Sequence, residues 1–298
     1  HIEYLCLFQK KREKNYRFNT KLNVLIITKT NLGIIDSVNL LVHFGIGYGC
    51  VISKKIIKTE MIYKIYGPPG TGKTYRLISR ARAYARVGTP LHKIGYFAFT
   101  KKAAGEAKKR MPAEDKKLLY FQTLHSFAFN ILKLKEEDVM QPYHYESFGK
   151  KLNVKVKYYD RYNKEESHFL TCDNPYFQLI HRAINRCVDI REEFDRGEHN
   201  SKEVDWNMLK HISDNYVVYK QKKKLIDFND MIEMLLKEDT KIPEFDVVFI
   251  DEAQDLSPLQ WKLYDKLKEK SKDIYLAGDD DQAIFAWAGA DVNRFINE

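Results

Sequence analysis

Apolar and polar positions along this 298-residue chain fall into blocks of different character. From about residue 61 to 134, short apolar runs pass directly into segments whose apolar residues recur three and four apart, the pattern of strands leading into helices. Met61 to Tyr66 reads as a strand and Thr74 to Val87 as a helix. Lys93 to Phe99 reads as a second strand, after which Thr100 caps a helix running to Arg110. Leu118 to Phe121 reads as a third strand, followed by an apolar helix to about Leu134. The rhythm stops from about Lys135 to Lys224, a stretch rich in Tyr, Lys and His with helical patches such as Phe177 to Glu193. It resumes with the almost wholly apolar Phe245 to Ile250, a helix from Ser257 and Pro258 to about Lys268, and a last strand, Asp273 to Ala277. Apolar strands alternating with helices predict an α/β fold with a parallel sheet, built from residues 61–134 and 225–298 and split by an inserted, mostly helical subdomain over 135–224.

The first strand-to-helix turn carries the most specific chemistry. Gly67, Pro68, Pro69, Gly70, Thr71, Gly72, Lys73 and Thr74 fill every position of G-x-x-x-x-G-K-T, a phosphate-binding loop. Its glycines let backbone N–H groups turn towards phosphate oxygens, Lys73 reaches the β and γ phosphates, and the Thr74 hydroxyl can ligate Mg²⁺. The expected ligand is therefore a nucleoside triphosphate with Mg²⁺. The strand Phe245 to Ile250 ends in Asp251-Glu252-Ala253-Gln254-Asp255. A carboxylate pair at that exit suits a second magnesium contact from Asp251, opposite Thr74, and polarisation of the attacking water by Glu252. Ligands of parallel sheets sit at the carboxyl ends of the strands, which is also where Thr100 and His125 fall.

Charge sharpens this picture by its distribution. The net charge is +9, but residues 1–60 hold 10 Lys/Arg against 4 Asp/Glu, leaving 40 against 37 in the rest. Met61 to Lys135 holds 16 against 3, a local excess of 13 beside the phosphate loop, which predicts a polyanion-binding face. The tyrosines 158, 159, 162 and 176 of the insert suit either base stacking or a small helical core. Cys6, Cys50, Cys172 and Cys187 form no C-x-x-C pair, so neither a zinc site nor a disulfide framework is indicated, and a reducing compartment is expected. The most apolar window, Ile34 to Ile52, carries Asp36, Asn39 and His43, which suits neither a signal peptide nor a membrane span. Met61 is the first methionine and stands directly before the strand entering the loop, so residues 1–60, which show no sustained period, are expected to be a non-native or disordered upstream extension, the competing reading being a small subdomain or targeting segment.

Taken as an ordered set, these stretches resemble the superfamily 1 helicases of the UvrD/Rep type over residues 61–298. The phosphate loop resembles motif I, Ala98-Phe99-Thr100-Lys101-Lys102-Ala103-Ala104 motif Ia, and Thr123-Leu124-His125-Ser126 motif Ib. Asp227-Phe228-Asn229-Asp230 resembles the D-F-D-D segment before motif II, Asp251 to Asp255 motif II, and Gly278 to Ala290 motif III. The resemblance implies a RecA-like P-loop NTPase sheet, ATP hydrolysis, and a single-stranded DNA or single/double-strand junction as partner in the cytoplasm, including the nucleoid or a viral replication site. It implies that Gln282 senses the γ phosphate and joins Lys73 and Glu252 in catalysis. Trp287 and Phe99 would stack on bases, with Thr100, Lys101, Lys102 and His125 along the strand; the residues alone also allow Trp287 as a core residue, Phe99 as the last buried strand residue and His125 as a helix-start residue. Ala288, Ala283 and Phe285 depart from the Arg, Ser and Tyr of motif III, and no glutamine stands shortly upstream of the loop to read adenine. Nothing resembling motifs IV to VI follows Glu298, so a second RecA-like domain is expected to be missing and the isolated chain to be inactive. A nucleic-acid-independent P-loop ATPase and a non-catalytic ATP or single-strand binding module are the alternative functions. Stimulation of ATPase by single strands separates the motor from the first, and any turnover excludes the second.

Overall fold

The computed structural model describes residues 61–68, 70–112, 117–159, 171–172, 174–198, 204–279, 281 and 289–298, together with the strand backbones within 1–60. Pro69, Gln282, Trp287 and Tyr162, named above, lie outside the described residues, as do Ala283, Phe285 and Ala288. Contacts divide the chain into two units, residues 1–60 and 61–298.

In the first unit β1 (Tyr4–Phe8), β2 (Leu22–Lys29), β3 (Ile35–His43) and β4 (Val51–Lys54) pair in sequence order as an antiparallel meander. The apolar pattern of these residues did not predict it, because their runs lack the alternation of a sheet with one solvated face.

The second unit is built on five parallel strands: β5 (Met61–Tyr66), β6 (Ile94–Phe97), β7 (Phe121–Gln122), β10 (Phe245–Ile250) and β11 (Ser271–Gly278), in the order β5-β11-β10-β6-β7. Helices α1 (Lys73–Arg86) and α2 (Lys101–Arg110) cover one face, where Leu77, Ile78, Ala81, Ala104 and Ala107 pack on Tyr96, Val247, Phe249 and Tyr275. Helices α3 (Leu124–Ile131), α8 (Phe228–Lys237) and α9 (Pro258–Glu269) cover the other, on Phe97, Val248, Ile250, Ile274 and Leu276. Each of these central strands is thus apolar on both faces, which is why β10 reads as a continuous run rather than an alternation. Full burial of each such side chain contributes about 1.5–3 kcal/mol, and this core fixes the strand ends that carry the site.

Between β7 and β10 the chain forms α4 (Pro142–Lys151), β8 (Tyr158–Tyr159), β9 (Thr171–Cys172), α5 (Pro175–Arg186), α6 (Ile190–Asp195) and α7 (Trp206–Lys223). These elements have their own core, with Tyr145, Phe148, Phe177, Leu209, Ile212 and Tyr216 at its centre. The helical patch expected over Phe177 to Glu193 is broken in two. Cys187 ends α5 with a left-handed φ of 56°, and Asp189 accepts from Arg191 N to cap α6. Glu193, fully buried, explains the break: only after a turn does its carboxylate fold back onto Arg182 and Arg186 of α5. Tyr176 is half-buried against this core and its hydroxyl accepts from Asp205 N, the structural role of the two readings above.

The other strand boundaries differ little from expectation. The second strand stops at Phe97, not Phe99: Ala98 N still bonds to Gln122 O of β7, and the backbone then turns so that Thr100 can cap α2. The third strand begins only at Phe121. The short helix α10 (Val292–Asn297) closes the chain by burying Phe295 beside the end of β11. Among the described residues no helix is long and apolar enough to cross a membrane.

Candidate nucleotide and nucleic-acid site

Parallel pairing brings the phosphate loop, the acidic pair and the described starts of α2 and α3 to one edge. Along the carboxyl ends of the sheet lie, in order, the phosphate loop after β5, Asp279 after β11, Asp251 and Glu252 after β10, Phe99 and Thr100 after β6, and Thr123 after β7.

Gly70 and Gly72 hold the loop open with φ of 77° and 80°, a left-handed backbone that costs L side chains energy. Gly72 is also the N-cap of α1 and offers no side chain, whereas α2, α3 and α9 are capped by Thr100, Thr123 and Ser257. The first-turn N–H groups of α1 are therefore left to an anion, and the helix dipole favours one there. Thr71 Oγ1 donates to Pro68 O at 2.7 Å and steadies the loop. Lys73 Nζ, almost buried, folds over it, donating to Gly67 O and to Pro68 O at 3.3 Å, with Asp279 Oδ2 at 4.0 Å. An ammonium satisfied by carbonyls and one distant carboxylate is well placed to exchange them for phosphate oxygens.

Asp251 is fixed from several directions. Its N–H donates to Phe97 O and Tyr96 Oη donates to its Oδ2, both at 2.9 Å, and the Thr74 hydroxyl lies close enough to its carboxylate to act on its pKa. Burial raises its pKa, with Glu252 adding to the rise and the Tyr96 and Thr74 hydroxyls opposing it. A divalent cation would relieve that desolvation. Thr74 and Asp251, expected from opposite ends of the sequence, are thus in contact, and they fit a magnesium ion that takes its remaining ligands from phosphate and water. No cluster of three or more His, Cys, Asp or Glu side chains suited to a metal occurs among the described residues.

Glu252 has φ 55° and ψ 47°, a left-handed conformation unusual for a residue with a side chain. The turn carries it off the line of β10, and Gln254 Nε2 donates to its Oε2 at 2.9 Å. Asp255 is buried beside it. Burial first, and then the Glu252 charge, push Asp255 up to about 7. The sequence alone singles out none of Gln254, Asp255, Asp279 and Tyr96. The first two lie inside the quoted acidic motif, but only tertiary contact distinguishes them.

On the other side of the edge, Phe99 is half-buried just past β6, and Lys101 and Lys102 are exposed in the first turn of α2. Thr100 Oγ1 accepts from Ala103 N at 3.1 Å, so its hydroxyl is engaged in capping. His125 sits in the first turn of α3, half-buried, with its ring edge-on to Phe228 at 5.7 Å. Burial lowers its pKa to about 4 against an opposing pull from Asp227, so it is neutral near pH 7 and can act as a hydrogen-bond donor, not as a cation. A cleft of about 290 Å³ runs between α2 and α3, lined by Lys101, Lys108, Gln122, Thr123, Ser126 and Asn130 among others.

The family model described as UvrD/REP helicase N-terminal domain matches residues 52–298. The chain is similar to the ATP-dependent DNA helicase PcrA of Staphylococcus epidermidis, 24% identical over 269 residues that cover 82% of this chain and 35% of that protein. It is similar also to PcrA of Bacillus subtilis, 25% identical over 248 residues, 76% of this chain and 32% of the relative. A stretch of 87 residues, 26% of the chain, is 38% identical to the RecB subunit of the RecBCD enzyme of Buchnera aphidicola, covering 7% of it. The chain thus spans about a third of the length of the PcrA proteins it matches.

Proposed function

The chain belongs to the UvrD/REP helicase N-terminal domain family, and on that premise we propose that it is the ATP-binding portion of a DNA helicase that couples ATP hydrolysis to movement along single-stranded DNA. The observation that carries this reading is the single carboxyl edge on which the phosphate loop, Lys73, the Thr74–Asp251 contact and Glu252 stand one to three strands from Phe99, Lys101 and Lys102. A nucleotide-only enzyme has no use for the second group.

In this reading the loop from Gly67 to Thr74 cradles the phosphates and Lys73 neutralises the β and γ oxygens. Thr74 and Asp251 would hold Mg²⁺, which when bound offsets charge on the phosphate oxygens. Glu252 orients and polarises the attacking water, and Gln282 contacts the γ phosphate through its neutral amide. Phe99 and Trp287 stack on bases while Thr100, Lys101, Lys102 and the neutral His125 meet the backbone of a single strand or of a single/double-strand junction. These residues form one wall of a nucleotide cleft, and a second RecA-like domain would supply the opposing cations. Such a motor works where DNA is, in the cytoplasm, the nucleoid or a viral replication site.

The nucleic-acid half is tested by alanine at Trp287 and at Phe99. Each should weaken binding of a labelled oligo-dT by about 1–3 kcal/mol in fluorescence anisotropy, with nucleotide affinity nearly intact. Raising the salt should weaken the wild-type complex further, as Lys101 and Lys102 displace counterions. Unaltered oligonucleotide affinity in both variants would remove the stacking assignment.

A further inference from the structure

Beside the carboxylate pair lies an amide that uses both of its ends. Gln254 is 3% exposed. Its Nε2 donates to Glu252 Oε2 at 2.9 Å and to Asp255 Oδ2 at 3.2 Å, and its Oε1 accepts from the backbone N–H of Asp279 at 3.1 Å. The opposite amide orientation would set an NH₂ against a backbone N–H and an oxygen against two carboxyl groups, so the partners fix which end is which. Gly278 is part of the same arrangement, since a Cβ there would stand 2.7 Å from Gln254 Oε1 and as close to the Phe295 ring. Asp279, whose N–H is held, carries the carboxylate that lies 4.0 Å from Lys73 Nζ. A continuous set of contacts therefore runs from Glu252 through Gln254 to the end of β11 and back to the phosphate loop.

We propose that Gln254 is a positioning residue that ties the Glu252 carboxylate to the backbone at Asp279, so that occupancy of the γ-phosphate position is transmitted to the end of β11. This rests on the reading of Glu252 as the carboxylate facing the γ phosphate. A γ phosphate, or the water between it and Glu252, competes for the oxygen that Gln254 now holds. If Glu252 turns, Gln254 must either follow or leave a hydrogen bond unmade where water is excluded, and following moves the acceptor of Asp279 N. Asp255 assists from the far side. Its second oxygen is buried without a hydrogen-bond partner among the described residues, and a carboxyl that titrates near neutrality sets less negative charge against Glu252 than an ordinary aspartate would.

The test is hydrogen exchange at the Asp279 amide, resolved by fragmentation mass spectrometry, in the 298-residue chain with Mg-ADP and with Mg-ATPγS. In the wild type the two nucleotides should give exchange rates at Asp279 that differ by at least about threefold. In Gln254→Leu, which has neither end of the amide, the difference should vanish. It should vanish too in Gln254→Met, which comes closer to the length and volume of the side chain but has no donor for Glu252. Both variants should bind either nucleotide within about threefold of wild type and leave exchange at Ile274 to Leu276 unchanged. A merely structural amide would alter Asp279 equally in every state and preserve the nucleotide difference. A wild type without the difference, or variants that keep it, would overturn the proposal. Failure of the wild type to bind either nucleotide would instead overturn the phosphate-loop reading beneath it.

Discussion

Replacing Lys73 with alanine is expected to weaken Mg-ATPγS binding by about 100-fold or more, because it removes at least two charge-assisted hydrogen bonds at about 1.5–3 kcal/mol each. In the free protein the Lys73 ammonium is held by Gly67 O and Pro68 O, with Asp279 beyond hydrogen-bond range. Little of the fold depends on it, since the neighbouring Leu77, Ile78 and Ala81 anchor α1. The loss should therefore appear in isothermal titration with the denaturation midpoint almost unchanged. Equal affinity in Lys73→Ala would mean that the loop binds something other than phosphate.

The second large effect lies away from the nucleotide. Lys220, at the end of α7, donates to Asp227 Oδ2 at 2.6 Å and to both oxygens of Asp230 at 2.6 and 2.7 Å, and Tyr216 Oη donates to Asp227 Oδ2 at 2.8 Å. Asp227 also caps α8 by accepting from Asp230 N, so this cluster joins the last helix of the insert to the helix that returns to the sheet. Burial alone would depress Lys220, but the two carboxylates outweigh it and raise its pKa; burial likewise pushes Asp227 up, and Lys220 more than reverses it. Lys220→Met leaves Asp227, 1% exposed, with a buried and uncompensated charge, and should cost about 3–5 kcal/mol in urea unfolding at pH 7–8. The sign of the pH dependence follows. In the wild type the depressed Asp227 contributes stability that is present above its unfolded pKa and lost as pH falls through the lower folded value. In the variant its pKa is raised, so protonation on acidification relieves the buried charge and the deficit narrows towards pH 4. A deficit below 1 kcal/mol at pH 8, or one that widens in acid, would contradict this account of the junction.

How much of this was legible beforehand depends on whether the information is contiguous. Gly67 to Thr74 is legible because one loop does the whole task with neighbouring residues, and Asp251-Glu252 because an apolar run marks the strand that delivers it. The order of the motifs along the edge is not, since it requires β5 to pair with β11 and β10 with β6 across long separations. Gln254 stands in plain view within the acidic motif, yet its use is decided by Asp279, a residue of the next strand's exit. The break at Cys187 escaped for a related reason: Phe177 to Glu193 keeps its apolar spacing, and only burial of Glu193 on Arg182 and Arg186 requires the turn. The strand start at Phe121 shifted because Leu118 is apolar for packing on the α1 and α2 face, which periodicity does not separate from pairing, and the strand end at Phe97 because the chain turns to let Thr100 cap α2.

In the proposed function the ends of β5, β10 and β11 form one Mg-nucleotide site, with Thr74 and Asp251 as the metal contacts. Titration of ATPγS into the 298-residue chain with and without Mg²⁺, repeated on Asp251→Asn, tests it most directly. Magnesium should tighten wild-type binding by about tenfold or more, through the charge it places between Asp251 and the phosphates, and should do little for Asp251→Asn. Wild-type affinity indifferent to magnesium, or an undiminished magnesium effect in Asp251→Asn, would contradict it.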